Sequence, residues 1–165
     1  MFSLDDLRVA EVSGKGASKK IDHIIERNHY LRSVPDPSAK HRYVISFGLS
    51  GVVGAGVWGK PVARMEDQED TVELLRFWTS NCTPKNTESK ALGMMMREME
   101  EKGYDRMIAY ASSGENHQGT IYKATNWELS KEFSRSATWE NRSDRNDRDK
   151  TDKRKFVKEV RSSST

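Results

Sequence analysis

Between Thr71 and Ala111 the chain changes its apolar period twice, and few folds accept that order. Thr71-Val72-Glu73-Leu74-Leu75-Arg76-Phe77-Trp78-Thr79 is rich in β-branched, aromatic and other apolar residues and predicts a strand. Asn81 to Ser89 is polar and contains Pro84; it predicts a turn feeding a helix, with Thr83 or Asn86 as the cap. Leu92, Met95, Met96 and Met99 then recur at helical spacing. Glu98, Glu100, Glu101 and Lys102 make the wet side, and Gly103 stops the helix. A stripe of methionines at this spacing predicts core in preference to a cofactor wall. Arg106-Met107-Ile108-Ala109-Tyr110-Ala111 returns to strand. Such an alternation commits the chain to an α/β sheet with helices packed on it.

The flanking segments extend the same architecture. Leu7 to Val12 alternates as a short strand, Gly14-Lys15-Gly16 turns, and a helix from Ser18 carries Ile21, Ile24 and Ile25 inward. That stripe, continued, reaches Asn28 and His29 before Pro35 and Pro37 end the element. Tyr43 to Leu49 and Gly51 to Trp58 read as a tight antiparallel hairpin, in which Gly54 and Gly56 mark close backbone approach. Ser112 to Gln118 is a polar loop and Gly119 to Asn126 a short helix. Trp127 to Phe133 and Lys155 to Val160 are two further strands. The predicted order is β-α-β-β-β-α-β-α-β-β, a sheet of mixed direction.

A length of 165 residues fits one domain. No apolar run approaches the ~18 residues of a membrane span. The start, Met1 to Asp6, is acidic and lacks a signal-peptide core, and Cys82 is the one cysteine. An internal disulfide and a Cys-rich zinc site are therefore excluded, and a soluble protein of a reducing cytoplasm is expected. Lys and Arg number 28 against 25 Asp and Glu, a net +3 that permits nucleic-acid binding without demanding it. Basic residues crowd residues 140–161 (Arg142, Arg145, Arg148, Lys150, Lys153, Arg154, Lys155, Lys158 and Arg161), interrupted by acids. A solvated segment of balanced charge and a phosphate-gripping arm both fit this run. Residues 141–152 are expected as a charged loop, 153–161 as the last strand, and 162–165 as a disordered end.

Two segments can carry chemistry. The helix start near Asn86, Thr87 and Ser89, with Lys85 beside it, offers unpaired N–H groups and partial positive charge to a phosphate. Every capped helix has those features, and no P-loop or paired glycine fingerprint is present. The run Gly119-Thr120-Ile121-Tyr122-Lys123-Ala124-Thr125-Asn126-Trp127 sets a phenol in a short helix over the sheet. Such a phenol either donates a proton to a leaving group or simply fills core.

Val72 to Trp127 resembles the GNAT acyltransferase superfamily, with a mixed, mostly antiparallel central sheet flanked by helices. In that superfamily a strand, a turn and a helix start hold coenzyme A, and a later helix carries a tyrosine followed by an aromatic. The resemblance implies donor contacts at Phe77, Trp78, Thr79, Lys85, Asn86, Thr87 and Ser89. Asn86-Thr87-Glu88-Ser89 stands where the superfamily has Arg/Gln-x-x-Gly-x-Gly. A closer resemblance, to the Mom family of phage DNA-modification proteins, rests on five runs. They are His29-Tyr30, Gly59 to Arg64, Leu75 to Trp78, Asn86 to Ser89, and above all His117-Gln118-Gly119-Thr120-Ile121-Tyr122 continuing to Trp127. It spans roughly residues 20–160 and makes residues 1–140 a GNAT-like catalytic domain.

That resemblance implies conversion of adenine in phage DNA to N6-methylcarbamoyl (acetamido) adenine, which shields the DNA from host restriction enzymes in the bacterial cytoplasm. His29, Tyr30, Arg76, Ser89 and Tyr122 fall on its active-site positions, and Ser112 stands where an acid is expected after the Tyr-Ala pair. The substrate would be double-stranded DNA, gripped through Lys15, Lys19, Lys20, Arg32, Lys40 and Arg42, with Tyr30 or Trp58 stacking on the extruded base. His29 would be the base and Tyr122 the acid, ahead of Glu73 as a solvated strand carboxylate. Plain transfer from acetyl-CoA lacks the second nitrogen, so a glycine-derived donor fits the atom count. A metal at His29-Tyr30 is conceivable but thinly liganded. A GNAT acetyltransferase of a small amine or protein, and a noncatalytic DNA-binding module, are the competing readings.

Overall fold

The computed structural model describes residues 3–28, 38–48, 51–61, 69–112, 116–133 and 153–160. Its strands are β1 (Leu7–Val12), β2 (Ala39–Phe47), β3 (Val52–Gly59), β4 (Thr71–Thr79), β5 (Arg106–Ser112), β6 (Glu128–Phe133) and β7 (Lys153–Glu159). Its helices are α1 (Lys15–Asn28), α2 (Thr87–Glu101) and α3 (Asn116–Ala124). The strands join in one sheet, ordered β1-β2-β3-β4-β5-β7-β6. β4 and β5 run parallel, while the other neighbours are antiparallel. The charged loop and the frayed end anticipated after residue 140 lie outside the described residues. No described helix is long and apolar enough to cross a membrane.

The two faces of the sheet are covered by different helices. On β3, Trp58 joins the cluster of Leu92, Met95 and Met99 from α2. Its neighbours Ala55 and Val57 join Ile21 and Ile25 from α1. Adjacent strand residues point to opposite faces, so α1 and α2 lie on opposite sides. α3 packs beside α2 through Ile121, Tyr122 and the following Trp127. Leu92, Met95 and Met99 are fully buried, each worth about 1.5–3 kcal/mol. The methionine stripe is therefore core.

Two glycines of β3 explain how tightly these layers close. A Cβ at Gly56 would lie 2.5 Å from the Met95 sulfur, and one at Gly54 would lie 2.5 Å from the Trp78 carbonyl oxygen. Trp58 donates its indole N–H to that same Met95 sulfur at 3.3 Å and has no exposed surface. It serves the core and is closed to an extruded base, contrary to the stacking role expected for it.

At the far end of α2 a polar brace ties helix to sheet. His41 Nδ1 donates to Glu11 Oε2 at 3.0 Å, and the Tyr104 hydroxyl meets Nε2 at 2.9 Å. Lys102 Nζ donates to Glu11 Oε1 at 2.8 Å. Burial holds His41 below its ordinary 6.5, against the pull of Glu11. Burial alone would raise Glu11, but Lys102 and His41 together hold it below 4.5. The folded state thus favours a neutral ring and an ionised carboxylate, and each loses protection as pH falls.

Two outcomes follow for stability. Gly54→Ala should cost about 1–3 kcal/mol, because the new methyl meets backbone. Gly93→Ala, in open space on α2, should gain about 0.5–1 kcal/mol; urea midpoints read both. Between pH 7.5 and 5.5 the wild-type midpoint should fall as the unfolded His41 protonates, and His41→Gln should flatten that fall. An equal slope in the variant would assign the acid sensitivity elsewhere.

Candidate active site

β4 and β5 pair only from Thr71 with Arg106 to Leu74 with Ala109. β4 continues to Thr79 and β5 to Ser112, so the strands part beyond Leu74 and Ala109. The cause is in β4. On its other side Leu74 pairs with Trp58 and Arg76 with Val57, leaving Leu75 as an extra residue. This is a β-bulge, which bends its strand and redirects side chains. Val72, Leu74 and Phe77 pack on the α2 side, but Leu75 and Trp78 pack on the α1 side. Alternation fails where pairing with β5 stops, and a wedge opens at the carboxyl ends of the parallel pair. Ligands of open α/β sheets bind in such a position.

Several expected residues line or adjoin this wedge. Arg76 sits one residue past the bulge and donates from Nη1 to the Leu75 carbonyl at 2.5 Å. Phe77 and Trp78 are half-buried, on opposite faces. Ser112 ends β5, opposite Lys153 of β7. His29 and Tyr30 lie outside the described residues, just beyond the last described residue of α1.

The turn from β4 into α2 is built by its own side chains. Asn86 precedes the helix with φ 73° and makes no side-chain cap. Thr83, the other expected cap, donates its hydroxyl to Ser80 O at 2.7 Å. Thr87 is buried and spends both its hydroxyl and its N–H on Pro84 O, at 2.6 and 3.2 Å. Thr79 donates to Glu88 Oε1 at 3.1 Å, tying the strand end to the first helical turn. A carboxylate here suits the positive helix start and would oppose an arriving phosphate. Lys85 and Asn86 are exposed and Ser89 is half-buried.

Tyr122 is fixed by the end of its helix. Asn126 adopts φ 65°. Trp127 N–H reaches Tyr122 O at 2.9 Å and Asn126 N–H reaches Lys123 O at 3.1 Å. This is a Schellman stop, which also explains the Tyr-to-Trp spacing, because its flanking side chains pack together. The two rings are 5.2 Å apart. Tyr122 stacks on Phe156 at 4.9 Å, and Phe156 pairs with Ala109. The phenol ring is thereby held level with the point where β4 and β5 separate.

Three groups on the α1 side had weaker signals. Glu73 was expected as a solvated carboxylate, but it is 6% exposed. It lies between Gly59 and Ile108, inside the paired part of β4. Burial and the charge of Glu73 raise the pKa of Tyr110, with Arg106 opposing. Lys155, in register with Tyr110, is buried and its pKa is lowered by that burial. A single acid inside an apolar strand was the visible hint. Among the described residues no three of His, Cys, Asp and Glu gather as a metal site.

The model of the Mom protein family matches residues 6–164. No curated protein matches the chain in sequence. Among solved structures, an IAA acetyltransferase from Bacillus cereus is 11% identical with a TM-score of 0.66, over 93% of this chain and 99% of that one. A GNAT family acetyltransferase from Elizabethkingia anophelis with acetyl-CoA bound is 12% identical with a TM-score of 0.66, over 94% and 99%. The ribosomal-protein-S18-alanine N-acetyltransferase from Escherichia coli is 6% identical with a TM-score of 0.67, over 96% and 98%. The shared feature is the GNAT fold.

Proposed function

The chain belongs to the Mom protein family, and from that premise we propose that it is a transferase converting adenine in DNA to N6-methylcarbamoyl adenine, a modification that protects phage DNA from restriction. The observation that supports the reading is the opening beyond Leu74 and Ala109, with the Tyr122 ring stacked on Phe156, the partner of Ala109 in register. The sheet opens there between two differently covered faces, so two reactants can approach from opposite sides.

An acyl-carrying donor fits the α2 side. β4 has no β5 partner beyond Leu74, so its edge can pair with the amides of an extended arm, as an added strand does. The GNAT structure from Elizabethkingia anophelis holds acetyl-CoA. In this chain Lys85 and Ser89 would face the donor's phosphates, while Glu88 opposes them and Thr87 only shapes the turn. The N6–CH2 bond of the product forms as the bond from the donor's methylene to its leaving group breaks, and the glycine-derived carboxamide on that methylene supplies the second nitrogen that an acetyl group lacks.

The acceptor amine is conjugated with its ring and stacked in a duplex. Extruding the base costs a few kcal/mol, so exclusion of water and correct placement must do much of the work. Tyr122 would give its proton to the departing group from an apolar surround of Phe156 and Trp127. His29 would take the proton released by N6, with Tyr30, Arg76 and Ser112 placing the base. Buried Glu73 sits deeper than the open part of the wedge and would act on charge balance through Tyr110.

Replacing Tyr122 by Phe keeps both ring contacts and removes only the hydroxyl. DNA co-expressed with the wild type should yield an adenine adduct by nucleoside mass spectrometry. Tyr122→Phe should lower its amount about 100-fold or more while the far-UV circular dichroism of the folded protein is kept. Full modification by the variant would remove the acid role, and an acetyl mass in place of the acetamido mass would assign an ordinary acyl donor.

A further inference from the structure

Helix α1 packs on the sheet through Ile21 and Ile25, and its Lys15, Lys19 and Lys20 were expected among the residues that grip DNA. Its outward side is different. Lys20, His23, Arg27 and Asn28 are all exposed and share one stripe at helical spacing. A groove of about 380 Å³ follows that stripe, lined among the described residues by those four and Ile24. Lys15 and Lys19 add charge on the same helix. Of the two acids of α1, one is neutralised from outside the stripe and the other meets His23 within it. Asp22 is held by Arg42, Nε to Oδ1 at 2.8 Å and Nη2 to Oδ2 at 3.2 Å. Glu26 turns to His23 Nδ1 at 3.3 Å. Arg42, expected to grip phosphate itself, instead neutralises the carboxylate that would weaken the stripe.

Across the sheet, the α2 side presents both signs: Glu100 and Glu101 are exposed, and so are Lys90 and Arg97. The α1 side adjoins the wedge: Ile24 packs in the cluster containing Leu75 of the bulge and Trp78. From Lys20 to Arg27 the helix advances about 10 Å. One strand of B-DNA advances about 3.4 Å per phosphate, so the stripe spans about three phosphates.

We propose that the Lys20–His23–Arg27 stripe of α1 is a phosphate-binding track that seats the backbone of duplex DNA beside the wedge. The proposal rests on the DNA-modifying reading and adds to it the face by which the substrate approaches. Binding here is electrostatic and carries no sequence information. Asn28, which donates from Nδ2 to Ile24 O at 2.9 Å, closes the end of the track nearest the last described turn of α1.

The test is fluorescence anisotropy of the full chain with a labelled 20-base-pair duplex across a salt series. Lys20→Gln/Arg27→Gln should weaken binding at least tenfold at low salt. It should also reduce the slope of log affinity against log salt by roughly two, about 0.9 per lost phosphate contact. Glu100→Gln/Glu101→Gln should change neither, and Tyr122→Phe should bind as the wild type does. Both altered helix positions are exposed, and Lys19→Gln/Arg27→Gln provides a second variant should the first fold poorly. Wild-type affinity and slope in both basic variants would overturn the track while leaving DNA as substrate. No duplex binding by the wild type at low salt would overturn the track and the DNA reading together.

Discussion

One extra residue in β4 determines what the rest of the molecule can do. Without Leu75 as a bulge, β4 and β5 could stay paired to their ends and the sheet would be closed. With it, pairing stops at Leu74 and Ala109, and the side chains after it exchange faces. The opening is stable because each of its walls is anchored separately. β4 is held through β3, where Gly54 and Gly56 allow close approach. β5 is held through β7, with seven paired positions from Arg106 to Ser112. The wedge can therefore exist without either strand being loose.

The two faces that meet at this wedge are chemically unlike. The α2 and α3 side is apolar, a wall of methionines with Tyr122, Trp127 and Phe156 stacked behind it. The α1 side holds the buried ionisable groups Glu73 and Lys155 with half-buried Tyr110, and an outer cationic stripe. An apolar wall strengthens any charge–dipole interaction made against it, which suits a phenol giving up a proton. A cationic rim suits a polyanionic substrate. Function on this reading comes from joining two environments through a gap in a sheet.

Much of the scaffold was legible because it depends on period and punctuation. β4 runs from Thr71 to Thr79 as its β-branched and aromatic content predicts, and the Met stripe with its Gly103 stop marks α2. The order of strands and helices also followed. Boundaries moved where polar residues hide in regular structure. β2 begins at Ala39, earlier than Tyr43, since His41 and Arg42 are kept in the strand by Glu11 and Asp22 on neighbouring elements. α1 begins at Lys15, with Gly14 at φ 91° making the turn before it. α3 begins at Asn116, inside a run that looked like loop. The bulge itself left no mark, because Leu74-Leu75-Arg76-Phe77 reads as an unbroken strand. Its consequence, the open end of the sheet, was invisible for the same reason. Trp58 was misread because a large aromatic with a polar handle looks the same whether it meets a base or a methionine sulfur.

A crystal structure of the chain grown with acetyl-CoA tests the central claim most directly. The account predicts that β4 and β5 diverge after Leu74 and Ala109, with Leu75 bulged and the donor's arm lying against residues 75–79. Strands paired without a gap as far as Thr79 and Ser112, or a donor bound away from that opening, would contradict it.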